Sequence, residues 1–412
     1  YPTFDPGLFS PQTKFEFPGA YTAGLLADPD GAFFNRATQG QYAPGSVFKI
    51  ITTAAAAQER LMRPDELFYC SLEWENGDRY GDTLERRLDW RASETDPAQV
   101  FPTGNVTIAQ ALTSSCDPFF YEMGARLFEK DQDLLSNYAR RMGLGRSFGL
   151  NSILSEAEGV IPTTNSVEEA INEAIGQGDV QVTPIQMAAV VAGIADGGTL
   201  YRPYLVQRVG REGETPSFEA QPEPMGDMGL SEEALNIVRE GMCDVTTTDA
   251  RNTTNGNALG TAWFVFENAY YSICGKTGTA QTNAEPNAWF VAYVPADNPQ
   301  IAIAVMAQNS REGSEVAAPI VRLGNDYSKG IVLSSGYIGQ KLPNRLVTSL
   351  TDGHPGVSGG GVLNQEGELV GIPVGRMQGD YRFSFILPVR PEMFRKVPGL
   401  AQAMLAGPPV LH

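Results

Sequence analysis

Histidine is nearly absent from this chain. The 412 residues include only two, His354 and His412. No group of histidines and cysteines has the spacing of a zinc or iron site, so we predict no metal and no cofactor. A nucleophile in the first 350 residues would have to be activated without histidine.

Positive charge is also scarce. Lysine and arginine together number 30, against 48 acidic residues, which gives a net charge of −18. Nucleic-acid binding needs basic surface, and docking on anionic lipid needs a polybasic patch. The composition argues against both and indicates a soluble surface that repels its own copies.

Long apolar runs are missing as well. No secretory signal and no apolar stretch of membrane-spanning length occurs. The most apolar stretch, residues 187–195, is short enough to be a core helix. The hydrophobic fraction of 42% is that of a globular protein, and the length leaves room for two domains.

A Ser-x-x-Lys motif near the start of the chain carries the most functional information. Pro44 suits the first turn of a helix, and Gly45 permits close backbone approach. Ser46 then lies in the first turn, with Lys49 on the same face. An amine whose pKa is lowered by burial and nearby cations can take the serine proton.

Taken alone, this motif is weak, because many helices begin with a serine and carry a solvated lysine. Two further motifs follow it in the chain, Ser115-Cys116-Asp117 and Lys276-Thr277-Gly278. Ser-x-x-Lys, then Ser-x-Asn or a variant, then Lys-Thr-Gly is the order of the penicilloyl-serine transferases.

The chain resembles the transpeptidase domain of class B penicillin-binding proteins over roughly residues 1–330. The resemblance extends beyond the three motifs to segments 1–6, 34–37, 42–45, 176–178, 182–188, 287–293 and 317–320. It implies an α+β, β-lactamase-like fold in which helices flank an antiparallel sheet. It also implies that the chain is a fragment that lacks the domain's first strand and an N-terminal membrane anchor, taken from an extracytoplasmic protein.

Sequence patterns place the elements of this domain. The evidence consists of helix signals, including predicted N-caps at Thr183 and Ser231, and of apolar strand patterns. Residues 65–101 are polar and are predicted to be irregular. The predicted helices are 44–60, 107–111, 118–128, 131–142, 183–195, 231–246 and 316–327, and the predicted strands are 270–280, 288–294 and 300–307.

The resemblance implies an acyl-transfer mechanism on peptidoglycan stem peptides. Ser46 would attack the carbonyl of the penultimate D-alanine, and Lys49 would accept its proton. Ser115 would relay the proton to the leaving amine, and the backbone N–H groups of Ser46 and Thr279 would form the oxyanion hole. β-Lactams would be trapped on Ser46, and the full-length protein would work with cell-wall synthesis partners.

The third motif would bind the substrate. Lys276 supplies positive charge, and the hydroxyls of Thr277 and Thr279 would bind the terminal carboxylate of the substrate. Gly278 would leave room for the substrate to lie along the strand as an added β-strand.

Asp117 departs from the usual asparagine of the middle motif. Some elongation-type members of the family carry Ser-x-Asp, which keeps activity open. An ionised carboxylate accepts hydrogen bonds but donates none. Asp117 is therefore expected to pair with Lys49 or Lys276, and not to offer an amide donor to the substrate.

Four cysteines leave their pairing open. Cys70, Cys116, Cys243 and Cys274 allow three disulfide arrangements, between which sequence does not choose. Since Cys116 and Cys274 lie beside motifs, we interpret both as small buried thiols.

Two other functions compete with the transpeptidase interpretation. The first is a β-lactamase, because Glu168 and Asn172 have the Glu-x-x-x-Asn spacing of the loop that positions deacylating water in class A enzymes. An acidic helix start also explains this spacing, and the neighbouring segments 176–178 and 183–184 resemble a penicillin-binding protein instead. The second is a β-lactam sensor or a non-catalytic scaffold. The hydroxyl and amine groups kept in all three motifs argue against a degenerate site.

Residues 331–412 resemble a different family. The glycine-rich loop around Ser358 and the hairpin pattern after it are similar to the second half-barrel of chymotrypsin-like proteases of the HtrA type, with a later strand at 382–389. The resemblance implies Ser358 as nucleophile, but it also requires a histidine base and an aspartate from the other half-barrel. His354 is too close in sequence to be that base, so we expect this small all-β segment to be an inactive partial barrel.

Overall fold

The computed structural model divides the chain into two compact units, Tyr1–Arg322 and Leu323–His412, which are described separately. The residues that the structure describes are 22–24, 26–27, 31, 33–84, 86–94, 97–150, 154–211, 215–249, 259–267, 269, 271–327, 338–341, 347–349, 362–363, 369–377 and 380–388.

The α-helices of the described residues follow the predicted order. Short 3-10 turns at Gly45–Phe48, Trp90–Ser93 and Pro97–Gln99 accompany them. In chain order the helices are α1 Lys49–Gln58, α2 Gly77–Tyr80, α3 Ile108–Ser114, α4 Asp117–Lys130, α5 Leu134–Arg141, α6 Val167–Ala174, α7 Pro184–Ala195, α8 Glu232–Thr247, α9 Trp263–Phe266 and α10 Ala317–Tyr327.

The strands before residue 323 form one three-stranded sheet and several two-stranded ones, all antiparallel. They are β1 Phe68–Cys70, β2 Glu73–Trp74, β3 Arg87–Leu88, β4 Gly104–Val106, β5 Thr199–Tyr201, β6 Arg208–Val209, β7 Phe218–Glu219, β8 Pro224–Asp227, β9 Cys274–Ala280, β10 Asn287–Val294 and β11 Ile301–Ala307. The pairs are β1 with β4, β2 with β3, β5 with β8 and β6 with β7, and the main sheet has the order β11-β10-β9.

Local capping explains where several helices begin. At α7 the Thr183 side chain accepts from the Gln186 N–H, Gln186 reaches back to the Thr183 N–H, and Pro184 takes the first position. Thr107 and Gln110 form the same capping box at α3. Ser231 caps α8. The predicted N-caps at Thr183 and Ser231 are therefore confirmed.

Helix α1 lies in the centre of the first unit. Every residue from Lys49 to Ala56 is buried, and the run of small alanines lets neighbouring helices approach on all sides. Phe48, Phe119 and Trp289 are fully buried beside it. The residue that starts this helix, Lys49, is therefore enclosed by the closely packed core.

The polar region 65–101 is more ordered than predicted. It contains β1, β2, β3, α2 and two 3-10 turns. The Glu122 carboxylate of α4 accepts from Trp74 Nε1 at 3.0 Å, from Asn76 Nδ2 at 2.9 Å and from Tyr80 Oη at 2.8 Å. These hydrogen bonds between distant residues order the region without the apolar periodicity from which helices and strands are predicted.

The cysteines are paired, which corrects the expectation of two free thiols. Disulfides join Cys70 to Cys116 and Cys243 to Cys274. The first ties β1 to the residue between Ser115 and Asp117, and the second ties α8 to the start of β9. Both motif-side cysteines are buried, as expected, but as half-cystines and not as thiols.

The second unit contains a five-stranded antiparallel sheet. Its strands are β12 Ile338–Lys341, β13 Val347–Ser349, β14 Val362–Leu363, β15 Leu369–Met377 and β16 Asp380–Pro388, in the order β12-β13-β16-β15-β14. The predicted hairpin after the glycine-rich loop corresponds to the antiparallel pair β14 and β15, and the predicted strand at 382–389 corresponds to β16, while the half-barrel stays a prediction. Ser358 and His354 lie outside the described residues, and the protease resemblance stays a prediction.

None of the helices within the described residues combines the length and apolarity needed to cross a bilayer.

Replacing Cys70 and Cys116 together by alanine should destabilise the first unit. The disulfide closes a loop of 46 residues, and removing a crosslink of this kind typically costs about 2–4 kcal/mol. Urea titration of wild type and double variant, followed by circular dichroism under non-reducing conditions, should show the loss as a lower midpoint. Non-reducing peptide mapping should first recover residues 70 and 116 in one linked peptide. Native protein that alkylates at both cysteines would contradict the pairing.

Candidate active site

Ser46 lies in the 3-10 turn that leads into α1 and is half-buried. The chain before it is fixed on two sides: Gly45 N donates to Gly176 O at 2.9 Å, and Trp289 Nε1 donates to Ala43 O at 3.0 Å. Gly176 is required there, because a Cβ on it would lie 2.2 Å from Gly45 O. The predicted helix that carries Ser46 is thus confirmed, and the Gly-Gln-Gly segment, residues 176–178, packs against its first turn.

Lys49 is fully buried, and three acceptor atoms lie close to its amine. Its Nζ lies 2.8 Å from Ser115 O, 3.1 Å from Ser115 Oγ and 2.5 Å from Asp117 Oδ1. The Phe120 ring lies 5.1 Å from the same nitrogen. The structure therefore brings the first two motifs into one site, and of the two lysines predicted as partners for Asp117 it selects Lys49.

Ser115 occupies the turn between α3 and α4 with a left-handed backbone, φ 58°. A residue with a side chain adopts this conformation at some cost, so its surroundings must hold it. Its N–H donates to Leu112 O at 3.2 Å, and the next N–H, of Cys116, donates to Ala111 O at 3.0 Å. The turn directs both the carbonyl and the hydroxyl of Ser115 at Lys49.

Two residues from region 65–101 hold Asp117 from the other side. Trp90 N donates to Asp117 Oδ2 at 3.0 Å, and Asp117 N donates to Asp89 Oδ2 at 3.0 Å. Trp90 Nε1 also donates to Ser114 O at 3.3 Å. We call Asp89 and Trp90 the motif clamp, because together they contact both ends of the Ser115 turn.

Asp89 is a buried carboxylate with a shifted pKa. Burial, and then the negative charge of Asp117, raise the pKa of Asp89 to about 7, while hydrogen bonds from Arg91 N and Asp117 N oppose the shift. Its carboxylate lies close to the sulfurs of Cys70 and Cys116. Because these sulfurs are bonded to each other, they offer no thiolate to a metal.

Lys276 is fully buried on β9, and its Nζ donates to Thr277 O at 2.9 Å. Burial first, and then the positive charge of Lys49, lower the pKa of Lys276 well below its ordinary value. Its neutral form is therefore favoured more than that of a surface lysine. The predicted effect of the Lys276 charge on Lys49 stays a prediction, because the shift found here is that of Lys276 itself.

Gly278 packs against the serine turn. A Cβ on it would lie 2.9 Å from Val47 Cγ1 and 3.1 Å from Pro44 O, and one on Gly45 would lie 2.7 Å from Thr279 O. Two glycines thus let β9 approach the start of α1. This close packing is enough to require glycine at position 278, whether or not a substrate binds there.

The hydroxyls of the third motif already have partners. Thr277 Oγ1 lies 2.6 Å from Thr261 Oγ1. Thr279 Oγ1 donates to Glu312 Oε2 at 2.5 Å. Strand β9 pairs with β10 on one side and is the edge of its sheet among the described strands. Its other side can accept an added strand.

The Glu-x-x-x-Asn pair has structural partners. Glu168 Oε1 accepts from Thr83 N at 3.0 Å, and Asn172 Oδ1 accepts from Arg87 at 2.9 Å. Both residues lie on α6, which Ser166 caps through the N–H of Glu169. The acidic helix start is the interpretation that these contacts support.

Sequence reasoning missed the motif clamp, the disulfide behind it and Glu312. Asp89 is 28 residues from Asp117, and Glu312 is 33 residues from Thr279. No local pattern connects residues so far apart. The four cysteines were the one available signal, since a pairing of Cys70 with Cys116 would have placed region 65–101 beside the Ser115 turn.

Comparison with known proteins points to one family. The Penicillin binding protein transpeptidase domain matches residues 2–323. The peptidoglycan D,D-transpeptidase MrdA of Haemophilus influenzae is 28% identical over 345 residues, which make up 77% of this chain and 48% of that protein. This chain therefore spans about half the length of that relative.

Solved structures with a similar fold point to the same family. Penicillin-binding protein A of Mycobacterium tuberculosis, as a ceftriaxone acyl-enzyme complex, superposes with a TM-score of 0.64 at 26% identity, covering 79% of this chain and 69% of that one. A chain of a peptidoglycan synthase complex that coordinates polymerization and crosslinking has a TM-score of 0.62 at 30% identity, covering 78% and 51%.

Ser46, Lys49, Ser115, Asp117 and Lys276 thus stand in one domain whose sequence and fold match these proteins along its length. The chain belongs to the penicillin-binding protein transpeptidase domain family, and its relatives are of the class B, MrdA-like kind.

Proposed function

We propose that this domain is a D,D-transpeptidase that cross-links peptidoglycan stem peptides through an acyl-enzyme on Ser46, and that β-lactams acylate the same residue. The observation that carries the proposal concerns Lys49, which follows Ser46 by three residues. Its buried amine contacts both Ser115 and Asp117. A relative is named as such a transpeptidase, and another was solved as a β-lactam acyl-enzyme.

Acylation begins with attack of Ser46 Oγ on the carbonyl carbon of the penultimate D-alanine. The Ser46 proton passes to the neutral amine of Lys49. The resulting ammonium has three acceptors in place, Ser115 O, Ser115 Oγ and Asp117 Oδ1. Ser115 relays a proton to the departing amine as the peptide bond breaks, and the terminal D-alanine leaves.

Deacylation completes the transfer. An amine of a neighbouring stem peptide attacks the Ser46 ester and forms a new amide bond. Its proton returns by the same pair, Lys49 and Ser115, to the Ser46 oxygen. With a β-lactam the leaving amine stays tethered to the acyl group, and the adduct persists.

The third motif binds the donor substrate. The free edge of β9 pairs with the substrate backbone, and the hydroxyls of Thr277 and Thr279 bind its terminal carboxylate. Backbone N–H groups of Ser46 and Thr279 stabilise the oxyanion; the loss of one such donor typically costs roughly 3 kcal/mol of barrier. Lys276 lies buried on β9, where burial and the positive charge of Lys49 lower its pKa.

Asp117 acts on Lys49 and not on the substrate. One carboxylate oxygen binds Lys49 and the other binds Trp90 N. With both oxygens engaged, the side chain orients the amine. This assigns the aspartate variant of the motif to positioning the base.

The proposed location is outside the cytoplasmic membrane, where peptidoglycan is cross-linked. Two disulfides in the described unit support this, since disulfides persist in oxidising compartments. Assembly with other cell-wall synthesis proteins is proposed by similarity to the chain from the synthase complex. For residues 331–412 we propose no catalytic role, because Ser358 lacks a candidate histidine base.

A fluorescent penicillin should label the protein on Ser46. Ser46→Ala should abolish the adduct, because the nucleophile is gone. Ser115→Ala should keep the adduct and slow its formation by roughly 10²–10⁴-fold, the usual contribution of proton transfer by a positioned group. Stopped-flow labelling with mass mapping of the adduct gives both results.

Ser114→Ala is the matched control. Ser114 neighbours Ser115, but its hydroxyl donates to Gln110 O at 2.9 Å. It should label at the wild-type rate. An adduct that maps to another serine, or that survives Ser46→Ala, would sink the proposal.

Asp89→Asn should change how stability depends on pH. The folded-state pKa of Asp89 is about 7, above the unfolded value of about 3.9. The folded protein therefore binds the extra proton between these pH values, and the free energy of unfolding falls as pH rises through that window, by at most roughly 1.4 kcal/mol per pH unit. Above pH 7 this contribution is constant.

The variant should lack this decline. Urea titrations at several pH values between 4 and 8 would measure the difference between the two proteins. Glu173, whose pKa is also raised to about 7 by burial, contributes equally to both and cancels. Asparagine loses one of two acceptors, so only the slope is diagnostic. Equal slopes would show that Asp89 titrates normally.

A further inference from the structure

Glu312 accepts a hydrogen bond from the Thr279 hydroxyl, which the substrate is expected to use. Thr279 Oγ1 donates to Glu312 Oε2 at 2.5 Å, and the same hydroxyl oxygen accepts from Gly313 N at 3.4 Å. Glu312 is exposed, in the segment between β11 and α10. A carboxylate of the protein itself is thus bound at the end of the Lys-Thr-Gly motif.

The backbone that carries Glu312 is held in place. A Cβ on Gly313 would lie 2.3 Å from Trp289 O and 2.4 Å from Gly278 O, so this position must be glycine for the segment to approach β9 and β10. The N–H groups of Glu315 and Val316 each donate to Glu312 O at 3.0 Å. Because this backbone is anchored, the Glu312 carboxylate reaches the Thr279 hydroxyl.

Among the residues that the structure describes, Glu312 takes part in no ion pair. The adjacent cation, Arg311, pairs with Glu315 at 3.5 Å. Lys276 is fully buried, and its lowered pKa favours the neutral amine. A second carboxylate at Thr279 would therefore meet a like charge, and a single hydroxyl proton cannot serve two carboxylates at once.

We propose that Glu312 is a specificity-determining residue: its carboxylate holds the Thr279 hydroxyl in the free protein and competes there with the terminal carboxylate of an acylating substrate. The inference rests on the proposed function. It predicts that affinity for carboxylate-bearing donors is set by displacement of Glu312. Donors whose terminal group is uncharged pay no such penalty.

Glu312→Gln isolates the charge. Glutamine Oε1 still accepts from Thr279, so the hydrogen bond survives while the like charge is removed. Glu315→Gln is the matched control, because Glu315 lies three residues on in the same segment, is exposed, and makes its ion pair with Arg311.

The experiment measures acylation of Ser46 by benzylpenicillin and by its uncharged methyl ester. The initial dissociation constant and the acylation rate constant are resolved separately. Glu312→Gln should tighten initial binding of the acid roughly five-fold, in line with one like-charge contact at partial exposure, and should leave the acylation rate constant within two-fold. The ester should show no such gain, and the gain with the acid should shrink at high salt.

Three results would overturn the inference. Unchanged binding of the acid in Glu312→Gln shows that no competition exists. An equal gain in Glu315→Gln shows a general charge effect. A loss in the acylation rate constant shows that Glu312 instead orients Thr279 for reaction. Wild-type protein that forms no Ser46 adduct with either compound refutes the proposed function itself, and the inference with it.

Discussion

The buried amine of Lys49 is the constraint on which the rest of the site depends. A lysine with no exposed surface needs polar partners within the protein for its amine and for the charge that it carries when protonated, because an unpaired buried charge costs several kcal/mol. Here all three acceptors come from residues 115 and 117. The turn that carries the second motif is therefore part of the solvation of the first motif's lysine.

That turn is stable only because it is held from several directions. Ser115 has a left-handed backbone, which costs of order 1–3 kcal/mol. The disulfide from Cys70, the motif clamp of Asp89 and Trp90, and Lys49 itself reach the turn from three sides. Region 65–101 consequently acts as a scaffold for the site, although its own elements are short.

How far sequence could predict this site depends on the range of the interactions. The capping residue Thr183, the order of the motifs and the strands around Lys276 are local signals in the sequence. The structure contains the predicted cap and the predicted strands. The aspartate at position 117 was expected to pair with a lysine, and it does. The cysteine pairing and the motif clamp depend on distant segments meeting, which no periodicity encodes. Glu312 reaches Thr279 only because Gly313 packs against two strands, which is a tertiary fact.

The charges of the site bear on how it would recognise the anionic substrate that we propose. The protein as a whole carries a net charge of −18, so long-range fields do not draw an anion towards it. The two lysines of the motifs are fully buried, and Lys49 is neutralised by Asp117. Under the proposed function, a terminal carboxylate would then be recognised by short-range hydrogen bonds at Thr277 and Thr279. Because Glu312 already accepts from Thr279, selectivity would depend on which carboxylate binds this hydroxyl better.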